Sequence, residues 1–410
     1  MDYVQSIVVN DSASEALRGR KIYSSGIESK YTKDSNMEAS VELKWQDELK
    51  NNVTTLEELK EYINLDAEEE VNLQKVIDVH PMSIPRYYLS LIDPADPCDP
   101  IRKMAVPSEE ELDLEGSYDT SGEKQNTKFS GLQHKYANTV LLLSANVCSM
   151  YCRHCFRKRL VGLTNDEVMS RFNEACNYIA AHPEVNNVLI SGGDSFFLPT
   201  EVLGYFLAEL TRIPHLNYIR FGSRMAVTFP SRILNDPELL EMFKAYSSRN
   251  RRIYLHTQFN HPREITRESI KAVNRVIKAG VIMNNQTVLL RGVNDDAEVL
   301  ADLQSSLVRI GVNPYYVFQC RPVKRVKSHF QVPLAEGYRI VAKARGMLDG
   351  LSKRFRYAMS HERGKIEILG ILGDEMFFKH QQARDPKDAS RFFKCRLDEE
   401  AGWLDELVEI

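Results

Sequence analysis

Residues 139–159 read Thr139-Val-Leu-Leu-Leu-Ser144-Ala-Asn-Val-Cys148-Ser-Met-Tyr-Cys152-Arg-His-Cys155-Phe-Arg157-Lys-Arg159. A short apolar run, 139–144, gives way to small and polar residues and then to a loop. A run of that length predicts a buried β-strand. The unit recurs downstream: apolar runs at 187–191, 218–221, 252–257, 283–289 and 315–319 alternate with amphipathic helical patterns near 166–181, 200–212, 237–249, 265–279, 296–310 and 334–349. Strands alternating with helices imply right-handed βαβ crossovers and a parallel sheet. Six such units predict an α/β fold, either a partial (βα)6 barrel, shorter than the eight-unit form, or an open doubly wound sheet.

Outward from this core the pattern changes. Residues 1–44 are polar and weakly periodic and predict a loosely packed arm. Residues 45–137 form a helical N-terminal region: Thr55-Leu-Glu-Glu58 is a capping box, and a helix is expected over 67–79. The Pro- and Asp-rich stretch 93–100 breaks regular structure, and 117–130 is expected to be a long loop. The barrel is assigned to 138–352 and a short C-terminal extension to 353–410. Within the extension, 355–359 and 366–369 predict two strands flanking a turn at 361–364; the charged tail from Asp374 has no regular pattern.

The chain of 410 residues, 43% hydrophobic and 27% charged, suits a soluble globular protein with one large core and an accessory region. A net charge of -4 gives no electrostatic reason to expect nucleic acid as a partner. No apolar run approaches the roughly 20 residues that span a bilayer. Residues 1–10 lack the basic and apolar segments of a signal peptide, so a cytoplasmic location is expected.

Of seven cysteines, four are scattered and read as small buried hydrophobes. Cys148, Cys152 and Cys155 crowd one loop. Three thiolates there can each ligate one iron of a [4Fe-4S] cubane and leave the fourth iron open to an exogenous ligand. The positive charge of Arg153, His154, Arg157, Lys158 and Arg159 is expected to lower the thiol pKa values and offset an anionic cluster. Two simpler readings compete: a zinc site completed by His154, and a redox dithiol of Cys152 and Cys155.

These cysteines and their neighbours resemble the radical S-adenosylmethionine superfamily, and in particular its lysine 2,3-aminomutase family. The resemblance runs from about residue 45 to 350. It includes Tyr87-Tyr-Leu-Ser-Leu-Ile-Asp-Pro94, Asp99-Pro-Ile-Arg102, Ser191-Gly-Gly-Asp194, Gly222-Ser-Arg224, Phe259-Asn-His-Pro262, Asn285-Gln-Thr-Val-Leu-Leu-Arg-Gly-Val-Asn-Asp295 and Pro314-Tyr-Tyr316. It implies the barrel form of the fold and a radical enzyme that cleaves S-adenosylmethionine to a 5'-deoxyadenosyl radical. It also implies an electron donor such as flavodoxin or ferredoxin and a small amino acid substrate. By resemblance Gly192, Gly193, Asp194, Ser223, Arg224 and Gln286 contact S-adenosylmethionine, and Arg157 grips a substrate α-carboxylate. Backbone NH groups of the Gly-Gly-Asp turn are expected to donate to the ligand.

The family also binds pyridoxal phosphate on a lysine, for which Lys365 is the candidate, with phosphate contacts near Lys135 and Tyr136. Four departures stand out. Gln258 and Thr139 replace a family histidine and arginine. Asp296 replaces a zinc-binding cysteine, which predicts no structural zinc and, where copies associate, a different subunit interface. Arg321 follows Gln319-Cys320 where the lysine enzyme has an aspartate that holds the substrate ammonium. With Lys324, Arg325 and Lys327 close behind, Arg321 would repel lysine and favour an acidic side chain. Two other function classes compete: a radical enzyme without pyridoxal phosphate acting on a peptide or other metabolite, and a non-catalytic iron–sulfur redox or sensor protein.

Overall fold

The computed structural model describes residues 44–163, 167–169 and 171–410. Except for Lys44, the expected polar arm lies outside them, as does Asp166. Twelve described strands form one sheet in chain order. They are β1 (Thr127–Phe129), β2 (Leu132–Tyr136), β3 (Thr139–Ala145), β4 (Asn187–Gly192), β5 (Tyr218–Gly222), β6 (Arg252–Thr257), β7 (Ile282–Leu289), β8 (Asn313–Gln319), β9 (Arg356–His361), β10 (Gly364–Leu372), β11 (Glu375–Ala383) and β12 (Phe392–Arg396). Strands β3 to β9 run parallel, and antiparallel pairs flank them at both ends. β12 does not return to β1, so the sheet stays open.

All six strands expected in the repeating unit are present. The crossovers are α1 (Phe172–Ala180), α2 (Thr200–Leu210), α3 (Pro237–Tyr246), α4 (Arg267–Lys278), α5 (Ala297–Arg309) and α6 (Leu334–Gly346). Their apolar stripes explain the packing: α4 buries Ser269, Ala272, Val273 and Val276, one helical face. Against such stripes the strands present Val188, Ile190, Ile219, Phe221 and Ile253, all at 0% exposure. Each contributes about 1.5–3 kcal/mol by burial. The intervening residues face the other way. Leu141, Leu189, Arg220, His256, Gln286, Phe318 and Lys365 come from seven different strands and line one cavity. A doubly wound sheet, with helices on both faces, has no such shared interior. The sheet is a partial barrel.

Three expectations change. The strand expected at 355–359 joins the parallel series as β9, fed by α6. The loop expected over 117–130 contains a helical turn, Glu123–Asn126, and β1. Its nucleus is Asp119, whose carboxylate accepts from Glu123 N and Lys124 N. The unassigned tail folds as β11 and β12, a meander on β10. In β11, Met376, Phe378 and His380 are buried, but adjacent Phe377 and Phe378 obscure that alternation in sequence. Among the described residues no helix is long and apolar enough to cross a membrane.

Candidate active site

The cysteine loop leaves the C-terminal end of β3, the rim at which parallel barrels place their chemistry. Gly192 ends β4 beside it, and Gly193 follows. Their role is steric: a Cβ on Gly192 would lie 2.4 Å from Ala145 O, and one on Gly193 2.3 Å from Val147 O. Gly193 N and Asp194 N donate to those same carbonyls, Ala145 O and Val147 O. The turn therefore fixes the approach to Cys148, and these two NH groups do not point at a ligand as expected.

Asp194 continues the bracing. Its carboxylate accepts from Phe196 N at 2.9 Å and Arg224 N at 2.7 Å. Arg224 then reaches across the rim, donating to Cys152 Sγ at 2.7 Å, Gln258 O at 2.9 Å and Glu264 Oε1 at 2.6 Å. Buried Glu264 also accepts from Tyr88 Oη at 2.6 Å. Ser223 Oγ accepts from Met225 N. Gln286 donates its amide to His256 Nδ1 at 3.2 Å.

The basic residues of the loop do not act as expected. Arg153 pairs bidentately with Glu111, both bonds 2.6 Å, and Lys158 joins the same carboxylate at 2.7 Å. All three are buried. Arg159 is held by Glu123 at 2.5 Å. With that charge engaged, burial dominates and pushes the Cys148 and Cys155 thiols up, aided by the neighbouring cysteines. Iron is the positive charge that would reverse this. Among the described residues no three histidine, cysteine or acidic side chains group as ligands of a single ion. His154 turns Nε2 to the amides of Asn260 at 3.2 Å and Gln258 at 3.3 Å. Its Nδ1 is buried without a hydrogen-bond partner. A cubane fits the three-cysteine loop, because it takes one thiolate per iron.

Arg157 donates to Gly192 O at 3.1 Å and Ser191 Oγ at 3.3 Å, while its buried Nε has no hydrogen-bond partner. Its guanidinium lies 4.5 Å from the Phe156 ring, and that of Arg321 lies 4.1 Å from the same ring. Arg321 donates to Ser121 Oγ at 3.0 Å, and burial lowers its pKa to about 10. Its expected companions face elsewhere. Arg325 bonds Glu111 O, and Lys327 pairs with Glu115 and Glu406. Only Arg321 of that basic cluster lines the cavity.

Lys365 sits at the start of β10, with Nζ 4.4 Å from the Tyr316 ring centroid. Burial, and then Arg220, Lys135 and Arg321, push its ammonium down to about 7. Lys135 donates to Ser121 O at 3.0 Å and to His361 O. Thr139 lines the same wall and accepts from Asn187 Nδ2. Asp296 caps α5, accepting from Glu298 N at 2.8 Å and Val299 N at 3.0 Å.

The cavity, about 430 Å³, brings together Cys148, Cys152, Cys155, Arg157, Gly192, Gly193, Asp194, Ser223, Arg224, Gln286, Arg321 and Lys365. A model of the radical S-adenosylmethionine superfamily matches residues 142–303. The chain is 44% identical over 354 residues to a protein of Aquifex aeolicus assigned as an L-lysine 2,3-aminomutase, covering 86% of this chain and 94% of that one. The chain belongs to the lysine 2,3-aminomutase family of radical S-adenosylmethionine enzymes. It is also 44% identical to L-lysine 2,3-aminomutase of Clostridium subterminale over 75% of this chain and 73% of the relative. Identity to glutamate 2,3-aminomutase of Clostridioides difficile is 37%, over 75% and 72%. An isomerase of the amino acid 2,3-aminomutase type follows, and the family implies the cluster and S-adenosylmethionine.

Residues that the motif reading missed complete this aminomutase site. Glu111, Glu123 and Glu264 orient the cationic residues, and Arg220 and His256 line the wall near Lys365. Arg220 was legible as a cation at the centre of an otherwise apolar strand, a position that demands either a partner or a ligand.

Proposed function

We propose that this aminomutase moves the amino group of a dicarboxylic amino acid between adjacent carbons, with pyridoxal phosphate on Lys365. The observation that carries the reading is one cavity with the three-cysteine loop at its rim and, in its wall, a lysine packed on Tyr316 with no ion pair among the described residues. When bound, the cluster and S-adenosylmethionine supply a radical that takes a hydrogen atom from carbon, and pyridoxal phosphate supplies an electron-accepting partner for the migrating nitrogen.

The chain's own residues do the rest. Cys148, Cys152 and Cys155 hold three irons. Gly192, Gly193, Asp194, Ser223, Arg224 and Gln286 form the wall on the S-adenosylmethionine side. A lysine that titrates near 7 keeps a free amine at neutral pH, as a carbonyl-capturing nucleophile requires. Arg157 grips the α-carboxylate and Arg321 the distal one. Two guanidiniums on one phenyl ring are a short span apart, suited to a short dicarboxylate rather than to a long side chain ending in ammonium. The partial barrel would shield the radical from water.

The test is an anaerobically reconstituted enzyme given glutamate, aspartate and lysine separately, with β-isomers and 5'-deoxyadenosine measured. Acidic amino acids are expected to turn over and lysine to lag. Efficient lysine turnover would overturn the role of Arg321. An unchanged cofactor absorbance in Lys365→Ala would remove Lys365.

A further inference from the structure

We propose that Glu123 is a specificity-determining positioning residue: its buried carboxylate spaces the guanidiniums of Arg157 and Arg321 and so sets the length of dicarboxylate that the clamp accepts. The inference rests on the reading of those two arginines as a clamp and adds what fixes the distance between them.

Arg157 and Arg321 are like charges beside one phenyl ring, 4.5 and 4.1 Å from the Phe156 centroid. Left to themselves, two such charges repel and their long side chains move apart. The hydrogen bonds of each run from Nη1: Arg157 to Gly192 O and Ser191 Oγ, Arg321 to Ser121 Oγ. Glu123 supplies the anion between them. Its Oε1 lies 3.8 Å from Arg157 Nε, the nitrogen that has no hydrogen-bond partner. Burial opposes the charge of Arg321; Glu123 leads the groups that favour it, and Arg157 opposes it. A ligand carboxylate takes the guanidinium edges that remain, and the separation of those edges is what its chain must match.

The fold delivers this carboxylate already fixed in place. Its other oxygen, Oε2, accepts from Arg159 at 2.5 Å. Arg159 is not among the residues that line the cavity, whereas Glu123 is. An anchor outside the cavity thus holds an anion inside it. The backbone is equally constrained. Asp119 accepts from Glu123 N at 2.7 Å, and Gly122 just before it adopts φ 67, a left-handed conformation that suits glycine. Lys135 donates to Ser121 O at 3.0 Å, and Arg384 to Gln125 Oε1 at 2.6 Å. Ser121 and Glu123, two residues apart, therefore move as one unit, and that unit carries a partner for each arginine of the clamp. A carboxylate that only neutralised Arg159 would need no second oxygen turned toward Arg157.

The test measures, by calorimetry, binding of butyrate and of straight-chain dicarboxylates from malonate to adipate to the cluster-loaded full chain with S-adenosylmethionine. These probes carry no amino group, so the clamp is read without Lys365. Wild type should favour one length over a chain two methylenes longer by about tenfold or more. Glu123→Gln should reduce that preference to about twofold, and Glu123→Asp, which keeps the charge, should restore part of it. Arg159→Gln leaves every residue lining the cavity in place and frees Glu123 to turn; it should cut the preference by about threefold, and it decides the matter if Glu123→Gln does not fold. An unchanged preference in Glu123→Gln overturns the inference and leaves the clamp standing. Affinities that fall by one factor at every length would make Glu123 merely structural, and affinities that rise by one factor would make it merely a counter-charge; either overturns the inference. If wild type binds no dicarboxylate better than butyrate, the clamp reading itself falls, and the role of Glu123 with it.

Discussion

The charges around the cysteine loop and those on the opposite wall are handled in contrasting ways. At the loop, Arg153 and Lys158 share Glu111, Arg159 has Glu123, and Arg224 has Glu264. Each carboxylate comes from a segment remote from the cation it holds. At the far wall Arg220 and Lys365 line the cavity and, among the described residues, pair with no carboxylate. The first arrangement is complete before anything binds and fixes geometry. The second leaves positive charge that the described residues do not compensate, a cost that an anionic ligand would relieve. A site built this way holds its radical-generating rim rigid and lets the bound reactant finish the other wall.

The largest effect expected from breaking the rigid side is in Cys155→Ala. Removing one of three iron ligands should abolish cluster retention, read as iron content and as loss of the reduced-cluster electron paramagnetic resonance signal. Full iron occupancy in that variant would mean that this loop does not carry the cluster. Next comes Glu111→Ala, which strands two buried cations. It should cost about 3–5 kcal/mol, read by denaturant unfolding of the cluster-free protein. The pH dependence has a definite sign. Arg153 and Lys158 outweigh burial and lower the Glu111 carboxyl to about 2. Its stabilisation is therefore present above its ordinary value of 4.5 and is lost as the pH falls from there through about 2. A variant as stable as wild type at neutral pH would show the triad to be dispensable.

Arg321→Asp probes the carboxylate clamp between these two walls. It should lower selectivity for an acidic amino acid over lysine by about 10–100-fold, read as the ratio of kcat/KM values. If the ratio does not move, the Arg321 guanidinium is only a packing partner of Phe156.

The parallel core was legible because strand and helix periods alternate cleanly from residue 139, and the helix-facing residues of β4 and β5 are apolar. The cysteine loop was legible because three thiols within eight residues need a chemical cause. The partners of its cations were not. Glu111, Glu123 and Glu264 reach the rim through loops and short 3-10 or helical turns, and nothing in their local sequence marks a carboxylate that will pair with a cation 36 or more residues away. That is why the loop's basic residues read as thiol-activating charge when the fold assigns them to structure. The meander β10–β12 was half-legible, since adjacent phenylalanines hide a two-residue period.

The smallest expected effect separates the two walls by pH. Burial and three nearby cations place the Lys365 ammonium near 7, against an ordinary 10.5. Below 7 the folded protein carries an unfavourable buried charge. As the pH rises from 7 to 10.5 the unfolded chain keeps its proton while the folded one does not, so this cost is relieved and stability rises. The same titration governs chemistry, because only the neutral amine attacks a carbonyl. Capture of pyridoxal by the cluster-loaded enzyme should accelerate up to about tenfold per pH unit below 7 and level off above it. In Arg220→Gln one repelling cation is gone, so the plateau should begin at higher pH. In Glu111→Gln, which acts at the opposite wall, its position should not move. A profile that shifts equally in both variants would mean that the walls are electrostatically coupled, and the contrast between a protein-completed rim and a ligand-completed wall would be lost.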